Sequence, residues 1–239
     1  LTSANILLKI DSLHVNYGEF EAIRNVSLEV PEGSVVSVIG ANGSGKSTVL
    51  QTISGLLKPA KGSIVFQGKN IGGWMPHQIV DEGICLVPEG GRVFPGLSIF
   101  ENLIIGAYTP RARKNRHENL QKVYNLFPML AEKAKQLAGN LSGGQRQMLA
   151  IGRALMSNPR LILFDEISLG LAPTVIKDIY QQIKVVNREG ATVILVEQDV
   201  KRSLKVSESS YVLLEGRVVL SGKSEELTDE GVRRAYFGI

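Results

Sequence analysis

Three short runs of this sequence combine residue types that could bind and cleave a phosphoanhydride. The first is Gly40, Ala41, Asn42, Gly43, Ser44, Gly45, Lys46, Ser47 and Thr48, which fits the spacing G-x-x-x-x-G-K-[ST]. It follows the apolar residues 35–39 and opens the helical stretch 48–53. Glycines at 40, 43 and 45 let the backbone curl so that successive N–H groups face inward, and the helix start adds partial positive charge. Polyphosphate is the natural guest of such a loop. Lys46 is expected to place a point charge on the terminal phosphates, and the Ser47 hydroxyl to complete the coordination of a bridging Mg²⁺. The second run is the apolar stretch 161–164, which ends in Asp165 and Glu166. An unpaired carboxylate at the end of a buried strand is costly, and a nearby cation resolves that cost. Asp165 is expected to hold Mg²⁺, and Glu166 to orient or deprotonate an attacking water. The third run is Leu141, Ser142, Gly143, Gly144 and Gln145, ahead of the helical residues 146–156. With Ser142 as N-cap, its hydroxyl, two unobstructed glycine N–H groups and the helix dipole form a second edge suited to phosphate. One nucleotide does not need two such edges from one chain.

The elements that must position these runs can be read from the rest of the sequence. The chain has 239 residues, 44% hydrophobic and 21% charged, enough to bury a substantial core. No apolar run approaches the roughly 18 residues of a membrane span. A single cysteine, Cys85, excludes an internal disulfide framework and any Cys-cluster metal site, and reads as a small core residue. Lys9 and Asp11 interrupt the short apolar start, so no signal-peptide pattern is read there and a cytoplasmic location is expected. Short apolar runs alternate with longer amphipathic segments, as in an α/β protein with a largely parallel core sheet. Residues 7–10, 26–30, 35–39 and 64–66 crowd together with tight turns between them, which favours a small antiparallel sheet beside the main one. Residues from about 78 to 158 look mostly helical, as an inserted subdomain. A stripe of Val175, Ile176, Ile179, Tyr180, Ile183 and Val186 marks a long helix between strands at 161–164 and 192–196, and further strands are expected near 211–214 and 217–220.

With its glycine-lysine loop, its Leu-Ser-Gly-Gly-Gln run and the acid twenty residues beyond it, the sequence resembles the ATP-binding-cassette (ABC) ATPases over essentially its whole length. The resemblance implies an α/β P-loop cassette: a RecA-like parallel-sheet core, a small antiparallel β subdomain and an inserted helical subdomain at about 88–158. A single domain would cover residues 6–239 after a short N-terminal extension, 1–5. In that family two cassettes pair head to tail, so that Leu141, Ser142, Gly143, Gly144 and Gln145 of one protomer close on the phosphate bound by the other. Tyr17 matches the aromatic residue that stacks on adenine, for which a flat π-face is the requirement. Ser168, Gly170 and Leu171 take the position of the D-loop at the dimer interface.

Three positions depart from the commonest family pattern. Glu89 stands where a glutamine follows the strand 84–87, Gln198 replaces the switch histidine, and Ala172 replaces the D-loop acid. These replacements, together with the ending from Val232 to Gly238, resemble the LivF-type branch, the ATP-binding subunits of branched-chain amino-acid importers. Glu89 still offers oxygen to Mg²⁺ or water, and Gln198 still hydrogen-bonds phosphate but carries no titrating proton. Ile167 replaces the usual proline after Glu166, which frees φ, restores an N–H and could loosen that turn. The resemblance therefore implies an ATPase with catalytic residues Glu166, Gln198 and Lys46 and with ATP and Mg²⁺ as ligands. It implies transmembrane permease subunits and a sister cassette as partners, a heterodimer in the complex and a homodimer in isolation. A periplasmic or lipid-anchored solute-binding protein would act indirectly, and the chain would sit on the cytoplasmic face of the inner membrane. Two other readings stay open: a regulatory cassette that no longer hydrolyses ATP, motivated by Glu89, Gln198 and Ile167, and an importer of other amino acids or amides. The coiled-coil insertion or second cassette of repair and translation ATPases does not occur in these 239 residues.

Net charge is +4, from 27 Lys and Arg against 23 Asp and Glu. Residues 111–122 alone carry that surplus through Arg111, Arg113, Lys114, Arg116 and Lys122 against Glu118. A solvated basic face, or contact with anionic lipid or a permease, is expected there, and a nucleic-acid partner is not.

Overall fold

A computed structural model describes residues 5–237. The expected extension 1–5 and the terminal Gly238 fall almost wholly outside them. Two sheets organise the chain. The first is antiparallel, in the order β2-β1-β4-β5, from β1 (Ile6–Tyr17), β2 (Phe20–Pro31), β4 (Lys61–Phe66) and β5 (Lys69–Asn70). The second has the order β10-β9-β3-β8-β7-β6, from β3 (Val35–Gly40), β6 (Ile84–Val87), β7 (Leu161–Asp165), β8 (Thr192–Glu197), β9 (Ser209–Leu214) and β10 (Arg217–Lys223). Its inner strands pair in parallel, and only β10 runs antiparallel, on the edge.

The expected antiparallel sheet needs one correction. Residues 35–39 do not belong to it, because β3 pairs in parallel with β8 and β9 at the centre of the main sheet. All six β3 residues are buried, as a strand covered on both faces must be. The antiparallel strands β1 and β2 are also two to three times as long as their apolar runs. Bulges at Ser12 (φ 50°) and Asn25 (φ 56°) break the alternation that would have marked their full extent.

Period-2 alternation along the parallel strands divides the core. Ile162, Phe164, Val193 and Leu195 face one layer, and Leu161, Leu163, Ile194 and Val196 face the other. The second layer packs on the antiparallel sheet, α1 (Lys46–Ile53) and α2 (Pro76–Glu82). The first receives α3 (Ile99–Gly106), α4 (Pro110–Lys114), α5 (Arg116–Leu126), α6 (Pro128–Glu132), α7 (Gly143–Leu155) and α8 (Pro173–Arg188). The stripe expected on α8 is the face it buries: Ile176, Ile179, Tyr180, Ile183 and Val186. Two short helices, α9 (Val200–Val206) and α10 (Asp229–Phe237), complete the chain.

The inserted lobe is helical from α3 to α7, with β6 lying before it in the main sheet. The basic segment 111–122 forms α4 and most of α5, with Arg113, Lys114 and Arg116 exposed. Cys85 is partly buried in β6, and desolvation pushes its thiol up to about 11. Among the described residues no helix is long and apolar enough to cross a membrane.

Candidate functional site

The glycine-rich loop leaves β3 at its C-terminal end and enters α1, the edge of a parallel sheet where ligands collect. Two glycines are sterically required. A Cβ on Gly40 would stand 2.8 Å from the Leu213 carbonyl oxygen, and Gly45 adopts φ +102° with only 2.6 Å between such a Cβ and Ile23 Cδ1. The Ser44 hydroxyl is buried beside Gly40 without a hydrogen-bond partner among the described residues, an orphaned donor within the loop.

β7 ends beside this loop and delivers both acids. Ser47 Oγ donates to Asp165 Oδ1 at 2.8 Å, so the expected hydroxyl and carboxylate oxygens converge. Burial raises the Asp165 carboxyl above the ordinary carboxylate range against the Ser47 hydrogen bond, and the neighbouring charges of Glu166 and Glu89 push the same way. A cation would relieve that cost. Among the described residues no three His, Cys, Asp or Glu side chains gather into a closed metal cage. Mg²⁺ on a nucleotide needs only one or two carboxylates beside phosphate and water oxygens, and the Ser47 and Asp165 pair meets that requirement.

Glu166 is 7% exposed and held from two sides. Its Oε1 lies 3.0 Å from Lys46 Nζ, while its Oε2 accepts from Gln198 Nε2 at 2.6 Å. Lys46 Nζ also donates to the Ala41 carbonyl at 2.9 Å, and Gln198 Nε2 approaches Asn42 Oδ1 at 2.5 Å. Lys46, Glu166, Gln198 and Asn42, from three separate loops, thus form one connected network. Glu166 takes a left-handed φ of 45°, unusual for a side chain of its size. Its N–H donates to the Val196 carbonyl, its own carbonyl accepts from Leu169, and Ile167 is buried in the core beside the helical lobe. The turn that proline would stiffen is therefore held by packing and two hydrogen bonds.

Asn42, Lys46, Ser47 and Glu166 border a cavity of about 660 Å³ that also includes Tyr17, Thr48 and Glu89; Asp165 and Gln198 are connected to it through Ser47 and Glu166. Tyr17 stands at its mouth, half exposed, with its hydroxyl 3.4 Å from Thr48 Oγ1. Phe20 and Arg24 line the same wall and were missed. Phe20 faces Tyr17 across the β1–β2 turn, and the aromatic spacing of three residues around Gly18 was the available signal.

The Leu141 to Gln145 run is not in this cavity. It starts α7, where Ser142 Oγ accepts from the Gln145 N–H at 3.3 Å and Gln145 Oε1 accepts from the Ser142 N–H, the reciprocal cap expected of such a sequence. Gly144 lies against α8: a Cβ there would meet Val175 Cγ1 at 2.6 Å. Gly143 lies near Leu171, and Gly170 turns with φ +72°. Ser168 Oγ donates to Glu197 Oε2 at 2.8 Å, tying that loop to the end of β8.

The ABC transporter family model matches residues 23–168, which contain the loop, the glycine pair and both acids. The chain belongs to the ABC transporter family. As an ABC ATPase it shares 45% identity over 97% of its length, and 100% of the relative's, with the high-affinity branched-chain amino acid transport ATP-binding protein BraG of Pseudomonas aeruginosa. Its fold matches the ADP conformation of the cassette MJ1267 with a TM-score of 0.82 and 29% identity, over 96% of this chain and 94% of that one. It also matches a dimeric post-hydrolysis cassette, MJ0796 bound to ADP and phosphate, with a TM-score of 0.76 and 30% identity, over 91% of this chain and 98% of that one.

Proposed function

We propose that this ABC ATPase powers uptake of branched-chain, hydrophobic amino acids through separate transmembrane permease subunits. The observation that carries the chemistry is one cavity lined by Lys46, Ser47 and the Glu166 carboxylate, with Asp165 hydrogen-bonded to it through the Ser47 hydroxyl. The triphosphate lies along residues 40–46 with adenine on Tyr17. Its terminal phosphate takes the Lys46 ammonium away from Glu166, because a polyanion outcompetes a single carboxylate for that charge. Glu166, still held by Gln198, then orients water for in-line attack on the terminal phosphorus and accepts its proton, while the bond to the bridging oxygen breaks and ADP leaves. Ser47, Asp165 and Glu89 would hold Mg²⁺, which when bound neutralises charge on the phosphate oxygens.

The separation of residues 141–145 from the cavity supports a two-cassette unit, in which Ser142, Gly143 and Gly144 of a second chain complete the phosphate site. Ser168, Gly170 and Leu171 lie beside that edge, as a dimer-crossing loop would. We place a sister cassette there in the transporter and a second copy of this chain in isolation. A cleft of about 400 Å³ lined by Phe94, Ile105 and Tyr108, beyond Glu89, offers an apolar seat to the permease. That contact holds the chain on the cytoplasmic face of the membrane, while a solute-binding protein selects the cargo.

The solute assignment draws on the likeness to BraG. Its test is ATP turnover of the assembled transporter in vesicles, with its binding protein added. Turnover is expected to rise with leucine, isoleucine or valine; a response to a different solute and to none of these refutes it.

A further inference from the structure

Between α8 and α9 lies a cleft of about 290 Å³, separate from the ATP cavity and sharing no residue with it. Its charged side chains are all of one sign: Lys177, Lys184, Arg202 and Lys205 line it, and no carboxylate does. Among the described residues, the three lysines make no ion pair. Arg202 is the one cation fixed in place. Its guanidinium carbon sits 5.5 Å from the centroid of the Tyr180 ring, and Asp199 holds it at 3.4 Å. Tyr180 is in turn locked, buried and donating to Glu197 Oε1 at 2.7 Å. Between the charges the lining is mostly apolar, from Pro173, Ile176, Tyr180 and Val206, with Gln181 the one uncharged amide.

Four cations around one concavity repel one another, and the low-dielectric wall of a cleft strengthens that repulsion. An anion seated among them adds an attractive interaction with each cation, which offsets that repulsion. The volume suits a single small molecule and is too short for a nucleic-acid backbone, which needs a stripe of charge. Three exposed ammonium groups around one fixed guanidinium suit a tetrahedral dianion, whose oxygens accept from several directions. The apolar lining suits a substituent on one of those oxygens.

We infer that the cleft between α8 and α9 binds a small phosphate monoester, its dianionic head among the lysines and Arg202 and its apolar part against Ile176 and Tyr180. The floor is one hydrogen bond from Glu197, whose other oxygen accepts from Ser168 and whose neighbour is Gln198. The ligand would therefore sit on a direct chain of contacts to the catalytic loops.

Phenyl phosphate is the probe. The full chain, saturated with MgADP to fill the Lys46 cavity, is titrated calorimetrically with phenyl phosphate and, separately, with benzyl alcohol. The wild type is expected to bind the first and not the second, and the exposed pair change Lys177→Gln with Lys184→Gln to weaken binding about tenfold or more. Arg202→Gln, outside that pair, is expected to do the same. No binding by the wild type at millimolar probe, or equal affinity in all variants, overturns the inference. The same proteins are sedimented with phosphatidylglycerol and with phosphatidylcholine vesicles. No lysine-dependent retention is expected; retention that requires Lys177 and Lys184 would make the cleft a membrane contact and overturn the small-ligand assignment.

Discussion

Replacing Glu166 by glutamine tests the nucleotide-free network in a way that activity alone does not. In that state Lys46 is 3% exposed, and its ammonium has two partners: the Glu166 carboxylate at 3.0 Å and the Ala41 carbonyl. Glu166→Gln keeps the shape and an acceptor oxygen but removes the one opposite charge that pairs with Lys46 among the described residues. Removing one partner of a buried ion pair costs about 3–5 kcal/mol, and the surviving amide acceptor places this change near the lower figure, about 3 kcal/mol. At about 2–4 °C per kcal/mol for a chain of this size, the melting temperature without nucleotide falls by about 6–12 °C. MgATP should reverse the deficit, since phosphate replaces the lost charge. The wild type must also break the Lys46 pair to bind ATP and the variant need not, so MgATP affinity should rise by up to about a hundredfold. Thermal unfolding with and without MgATP, paired with an equilibrium nucleotide titration, reads both numbers. A variant as stable as the wild type without nucleotide, with unchanged affinity, refutes the view that Glu166 neutralises Lys46 until phosphate arrives.

Other consequences of the geometry are equally open to measurement. The raised Asp165 carboxyl contributes stability that is complete below its unfolded pKa and lost as pH rises through the folded one. Asp165→Asn should therefore flatten the pH dependence of unfolding above the ordinary carboxylate range and stabilise the nucleotide-free chain at neutral pH, while weakening Mg²⁺-dependent ATP binding; denaturant titrations at several pH values check the sign. Cys85, with its thiol pushed from 9.0 to about 11 by desolvation, should react with a thiol reagent at pH 8 about a hundredfold more slowly than an exposed thiol, and at the normal rate once unfolded. Ile167→Ala should cost about 2–5 kcal/mol in denaturant unfolding, because the side chain is 1% exposed in the core.

Most of the chemistry was legible in the sequence because it is written in short contiguous runs. The loop at 40–48, the acids after 161–164 and the Ser142 cap each depend on neighbours within a few residues, and each lies where its run placed it. The membership of β3 was not legible. Its apolar pattern resembles that of the hairpin strands on either side, and only its pairing with β8 and β9, more than 150 residues onward, reveals the central position. The same limit hides the network at the site. Lys46 and Glu166 are 120 positions apart, so nothing local announces that they form a pair, nor that Gln198 bridges Glu166 to Asn42. Phe20 and Arg24 carry no local signal of this kind, because only the folded β1–β2 hairpin brings them to the cavity. The departure at Ile167 became explicable only with its burial: a core side chain replaces the stiffness of a proline ring.

ATP hydrolysis in the Lys46 cavity with Glu166 as the base is tested most directly by single-turnover hydrolysis in the assembled transporter, wild type against Glu166→Gln, with bound nucleotide quantified in the same samples. Full occupancy by uncleaved ATP in the variant, with turnover reduced by about a hundredfold or more, is the predicted result. Cleavage at the wild-type rate with nucleotide bound would contradict it.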